Sequence, residues 1–394
     1  MIGRRLTGID AARGIALLGM MATHIFSLYN EQTGEPAWTG LVLSGRSSAL
    51  FAVVAGIGLA LLTGGSSPRS GRALSADRRG IAVRALIIAL AGLTLGGLDT
   101  SIAIILFHYG VLFLLALPFV GMRAPKLALW AGGWLLLSPA AAYLIRPWIY
   151  EHVSPATLGS NISWEAFLTP ATLAADVFFT GFYPVFQWLS YLLIGMLIGR
   201  LKLEELTVQV GLVAAGIVAA AGAKFLSYYL LLEKGGLDAV LETNSGRIWP
   251  LEQMMEVNLA GVEQSGTWWW LAVSGPHSGT PLDLLHTAGT SAAVVGVCLL
   301  LTRARPNLLL PLSAAGAMTL TLYSLHVWVM TVVDQQNPPL EPLPVFWIQA
   351  TFYVVLAILF QRVHARGPLE FVTSGASRLA RGNAGRTAAA RPKR

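Results

Sequence analysis

The sequence predicts an all-α polytopic membrane protein of about ten transmembrane helices, with cytoplasmic N- and C-termini. Three observations carry this. Of 394 residues, 55% are hydrophobic and only 12% are charged, whereas a soluble domain carries about twice that share of charge. Ten stretches of roughly 17–25 residues are apolar enough to span a bilayer. Basic residues concentrate in every second loop, as cytoplasmic loops require.

In chain order, the expected spans lie near 13–30, 46–63, 81–98, 102–121, 126–146, 182–200, 207–232, 286–302, 309–332 and 344–363. The first is expected to remain as a transmembrane helix. Its apolar run is too long for a cleavable signal peptide, and no small-residue cleavage site follows it. The third and fourth, joined around Asp99, Thr100 and Ser101, read as a helical hairpin. The start of the sixth is ambiguous, because the apolar piece Pro170–Phe182 also suits a re-entrant segment.

Charge follows the same alternation. Basic residues cluster at Arg4, Arg5 and Arg13, at Arg69, Arg72, Arg78 and Arg79, at Arg123 and Lys126, at Arg200 and Lys202, and at Arg303 and Arg305. They continue from Arg362 to the end of the chain. The other loops carry 15 of the 20 acidic residues. The net charge of +7 is thereby explained by topology, and no nucleic-acid partner is expected. One membrane domain is expected over 1–366, with long extracytoplasmic segments near 147–181 and 233–285. A disordered, basic cytoplasmic tail is expected over 367–394, near anionic lipid. Trp268, Trp269 and Trp270 in the second long segment fit interfacial anchors, or less simply a stacking platform for a sugar ring.

The polar residues inside the spans carry any chemistry. In RRLTGIDAARGIALLGMMATH, Arg13 and His24 are eleven positions apart, about 20° from full helical register, and Asp10 lies about 40° off the same line. One stripe therefore carries Asp10, Arg13 and His24 on an otherwise apolar helix. His108 and Tyr109 sit in the fourth span, His326 in the ninth on one face with Tyr323, and Arg46 opens the second. Ionisable groups at such depth face a cavity or a partner. Each alone also fits a satisfied structural contact; together they suit one buried polar chamber. The single cysteine, Cys298, forms no internal disulfide, and no metal site or soluble catalytic motif is present in the sequence.

GIDAARGIALLGMMATHI, GRSSALFAVVAGIGLAL, IILFHYGVLFLLALPF and PLSAAGAMTLTLYSLH together resemble the YeiB-type transmembrane acyltransferases of bacteria, relatives of lysosomal heparan-α-glucosaminide N-acetyltransferase. The resemblance runs in order from about residue 4 to 330. It implies transfer of an acetyl group from cytoplasmic acetyl-CoA, without a metal, to an amino sugar or similar acceptor across the bacterial plasma membrane. It also places Glu35, three residues before Trp38, where the lysosomal enzyme has its catalytic histidine. Two candidates for the base therefore stand, His24 and Glu35.

In this reading Asp10, Arg13 and Arg84 serve the donor, with Arg78 and Arg79 as further cations for its phosphates. Arg46, His108, Tyr109, Tyr323 and His326 serve the acceptor or the oxyanion. A homodimer is compatible with it. The rival reading, a proton-coupled small-molecule transporter, also suits buried histidines. Against it, the sequence shows no internal repeat with paired broken helices.

Overall fold

A computed structural model describes residues 6–30, 32–153, 158–243, 250–363 and 366–382. The described residues are helical throughout, with one isolated bridge between Tyr29 and Pro36 and no strand. A helix lies at each of the ten expected spans. These are α1 (Thr7–Ile25), α2 with α3 (Trp38–Leu43 and Arg46–Leu62), α4 (Gly71–Gly96), α5 (Leu106–Ala116), α6 (Ala124–His152), α8 (Val185–Gly199), α9 (Leu206–Tyr228), α12 (Pro281–Ala304), the bent pair α13 (Leu310–Gly316) and α14 (Thr319–Val333), and α15 (Pro342–Val363). Six are long and apolar enough to cross a membrane, or seven if α13 and α14, bent by 80°, form one broken span. The expected ten is not reached on that criterion. α5 and α8 are apolar but shorter than a full crossing, and α1 is interrupted by Asp10, Arg13 and His24.

Sequence and structure place the helix ends differently for a physical reason. Hydropathy locates apolar surface, whereas backbone hydrogen bonding continues through charged residues. Thus α1 begins at Thr7 and α4 at Gly71, and α4 carries Asp77, Arg78 and Arg79 within the helix. The outside of the bundle is apolar, with Leu129, Leu136, Leu137 and Leu144 on α6 and Val218 and Phe225 on α9 exposed. That is the surface of a protein solvated by lipid, where satisfied helical backbone is required and exposed apolar side chains cost nothing.

Close packing fixes α1 within the bundle. A Cβ on Gly14 would lie 2.1 Å from the carbonyl oxygen of Leu312, and one on Gly316 would lie 1.7 Å from that of Asp10. Only glycine permits this approach of α1 to α13. Arg13 then reaches across, donating to Asp10 at 3.1 Å and to the Gly316 carbonyl at 3.2 Å.

The long segments are partly folded. The first contains α7 (Pro170–Phe178), a nine-residue helix too short to cross a membrane. The second contains α10 (Gly236–Glu242) and α11 (Leu251–Val257) around a small core of Leu231, Val240, Leu251, Leu259, Val262 and Trp270. Trp270 is fully buried and donates from Nε1 to Thr243, so it is a core residue. Trp268 is exposed and rests on Tyr143.

The expectation of disorder from residue 367 is corrected. Residues 368–381 form α16 (Pro368–Arg381), a strongly amphipathic helix packed on α4. Composition suggests disorder because Gly, Ser and Ala are frequent there, but Phe371, Val372 and Leu379 recur on one face of this helix. Residues 383–394, like Arg4 and Arg5, lie outside the described residues.

Candidate active site

Two cavities are stacked along the same helices. The first encloses about 580 Å³. Its outer part is lined by Arg13, Arg84, Arg366, Arg378 and Arg381, and its inner part by Phe51, Ala55, Leu106, Tyr109 and Tyr323. The second encloses about 330 Å³ and is lined by Met20, Thr23, His24, Ser47, Ser48, Tyr183, Asn258 and His277, among others. On α3, Ser48 lines one and Phe51 the other, so about 4.5 Å of helix rise separates them. On α1, Arg13 lines the first and His24 the second, eleven residues or about 16 Å along.

His24 is held from α14. Its Nδ1 lies 3.1 Å from Nε2 of His326, and the rings stack with planes 11° apart. His326 is fully buried, and its Nδ1 lies 2.9 Å from Oε1 of Gln349 on α15. A carbonyl oxygen only accepts, so His326 carries its proton on Nδ1 and presents a lone pair at Nε2. His24 must then donate from Nδ1, which leaves its own Nε2 unprotonated. The Gln349 amide is oriented in turn by Tyr353, whose hydroxyl donates to Oε1 at 3.3 Å, and by Met330, whose sulfur faces Nε2 at 3.6 Å. Two helices, α14 and α15, thus set the tautomer of a histidine on a third.

The other expected residues separate into two groups. Arg13, Arg84, Tyr109 and Tyr323 line the first cavity. Asp10 is the ion-pair partner of Arg13. Tyr323 accepts a hydrogen bond from the backbone N–H of Ile105 at 3.3 Å. Arg46 and His108, by contrast, are not brought to the His24 chamber. Arg46 donates from Nε to His286 on α12 at 3.1 Å and from Nη1 to the Leu41 carbonyl, which ties α3 to its neighbours. His108 is buried edge-on against Tyr183 and lines a separate, very small space. Helical periodicity gave their depth but not their rotation about the bundle. Glu35 is exposed in the turn after α1 and lines neither cavity. Arg78 and Arg79 donate to the carbonyls of Leu117 and Ala380 and do not line the first cavity.

His277 also lines the second cavity, but it belongs to a loop and not to any of the expected spans. It is the sole non-glycine with positive φ (61°) among the described residues, a conformation retained where surrounding structure imposes it. Its Nδ1 donates to the Phe182 carbonyl at 3.3 Å, and its ring stacks on Trp188. Burial pushes its pKa down to about 4, so it is neutral at physiological pH. The Pro276-His277-Ser278-Gly279 turn was the available signal.

An all-helical bundle with six or seven helices long and apolar enough to cross a membrane defines the class: a polytopic transmembrane protein. The particular family follows from comparison. A model of the catalytic region of heparan-alpha-glucosaminide N-acetyltransferase matches residues 5–233, more than half of the chain, and the chain belongs to that family. It is a transmembrane protein of the N-acetyltransferase type. No curated protein matches the chain.

Proposed function

We propose that the protein carries an acetyl group from acetyl-CoA, bound in the arginine-lined cavity, to the amine of a sugar-like acceptor in the second cavity. The observation that carries this reading is the placement of Arg13 and His24 on one helix, each in a different cavity, with His24 locked by His326. The arginines supply charge-assisted hydrogen bonds for the donor's phosphates. The apolar inner part suits the thin arm that ends in the thioester.

Nε2 of His24 takes the proton from the attacking amine as nitrogen bonds to the thioester carbon. The carbon–sulfur bond then breaks, and the departing thiolate receives the proton. Ser47 and Ser48 lie beside the same space as hydroxyl donors for the developing oxyanion. Glu35 is the weaker candidate for the base, since it lies outside both cavities.

The proposal includes ten spans in a bacterial plasma membrane, with the arginine-lined cavity facing the cytoplasm. Support comes from the basic residues at that end, which obey the positive-inside rule. Incubation of the purified protein with radiolabelled acetyl-CoA and a panel of amino sugars tests the function. Labelled sugar that requires His24 supports it. Absence of label on any acceptor, together with absence of CoA binding, overturns it. Accumulation of an unmodified solute in proteoliposomes would favour a transporter instead.

A further inference from the structure

α16 follows the last span and lies outside the family-matched residues, yet it forms one wall of the arginine-lined cavity. The helix is fixed at both ends. Near its start, the Glu370 carboxylate caps the first turn of α14, accepting from the backbone N–H of Leu320 at 2.7 Å and of Thr321 at 3.2 Å, and from the Thr321 hydroxyl at 2.6 Å. At its end, Arg381 Nε lies 3.5 Å from the buried Asp77, which Arg69 also pairs at 2.9 Å. In addition, Arg79 donates to the Ala380 carbonyl. Between these pins α16 lies close over α4. A Cβ on Gly80 would be 2.8 Å from Arg381 Nε and 2.9 Å from the Ser377 hydroxyl, so the absent side chain at Gly80 is the space that Arg381 crosses.

The charge of this cavity is unbalanced. Five arginines line it against one acid, Glu370, whose oxygens already cap α14. Arg13 is paired with Asp10. Arg84 Nε and Arg381 Nη2 are buried and have no hydrogen-bond partner among the described residues. Buried guanidinium groups with unspent donors cost free energy unless a ligand supplies acceptors. Ligand oxygens with negative charge would meet both needs at once, and planar, multidentate donors suit phosphate.

We propose that Arg378 and Arg381 of α16, together with Arg84 of α4, bind the phosphate groups of the acyl donor, so that the C-terminal helix is part of the donor site. This rests on the proposed identity of that cavity. A lipid headgroup offers the same phosphate chemistry, and the test separates the two sources.

The experiment measures binding of CoA to the full-length, detergent-solubilised protein and to Arg378→Gln, Arg381→Gln and the double variant. Thermal unfolding serves as a check on folding. Each single variant is expected to weaken CoA binding about 10-fold, and the double variant more, as loss of a charge-assisted contact to phosphate implies. Arg72→Gln, an exposed arginine outside the cavity, is expected to bind CoA as the parent does. Arg378 is exposed and has no hydrogen bond or ion pair among the described residues, so it carries the test even if loss of the Asp77 contact unfolds Arg381→Gln.

Failure of the unmodified protein to bind CoA would remove the donor-cavity reading itself. CoA binding that is undiminished in folded Arg378→Gln and the double variant would overturn the role of α16 alone. So would an equal loss in Arg72→Gln, which would indicate a general charge effect. Variants that keep CoA binding but lose retention on phosphatidylglycerol vesicles would assign these arginines to a headgroup, and that too overturns the proposal.

Discussion

Nδ1 of His24 and Nε2 of His326 lie 3.1 Å apart across the contact of α1 with α14, in rings only 11° from parallel. With Gln349 behind His326, the arrangement sets which nitrogen of His24 can accept a proton. His24→Ala should therefore reduce acetyl transfer by about 10²- to 10⁴-fold while CoA binding persists. Transfer assays and CoA titrations on one preparation check this, and full activity in the variant would remove His24 from the reaction.

Gln349 acts through His326. Gln349→Leu frees His326 to adopt the other tautomer, and His24 then loses its defined donor role. A fall in kcat of about 10-fold is expected, with the KM for acetyl-CoA little changed. A merely structural Gln349 would instead show an altered melting temperature with kcat retained in the folded fraction.

Ala55 faces the inner part of the arginine-lined cavity. Ala55→Trp should block the donor's thin arm, weakening CoA binding by about 10-fold or more, and leave acceptor binding in the other cavity intact. Equal loss of both would mean that the two spaces are not independent.

Arg200 is nearly inaccessible and donates to the carbonyls of Ala60, Gly65, Val120 and Met122 and to the Thr63 hydroxyl. One side chain at the end of α8 thus satisfies acceptors at the end of α3 and in the turns that follow α3 and α5. Arg200→Ala leaves several buried acceptors unmet and should cost about 3 kcal/mol, seen as a lowered melting temperature in detergent. An unchanged melting temperature would show that water replaces the guanidinium there.

Gly316→Ala places a methyl group against the Asp10 carbonyl, where an ideal Cβ would come within 1.7 Å. α1 must move away from α13, which also breaks the Arg13 contact to Gly316. Loss of folded protein, or loss of CoA binding in what folds, is expected from size-exclusion profiles and titration. Normal behaviour on both would show that the helices separate freely.

The fold was legible because a bilayer forces long apolar runs, and each expected run holds a helix. The count of full crossings was less legible, since a run of apolar residues does not reveal that α5 has only eleven helical residues or that α13 and α14 bend. At the site, the depth of His24 and His326 on their helices could be read, and their pairing is consistent with it. The partners of Arg46 and His108 could not, because sequence spacing fixes a face and leaves open which neighbour that face meets. His277 escaped because its position depends on a loop folding back onto Phe182 and Trp188. α16 escaped because a short amphipathic helix of small residues has the composition of a flexible tail.

The thinness of the α3 partition between the two cavities has a consequence for traffic across the membrane. In the proposed reaction neither substrate has to cross: the cofactor stays with its own pool, the sugar with its own, and only a two-carbon fragment changes sides. No rocking of one half of the bundle against the other is needed, and the closely packed contact of α1 with α13 can stay closed throughout the cycle. The protein can thus serve as an insulating wall and as a conduit for a single chemical group at the same time.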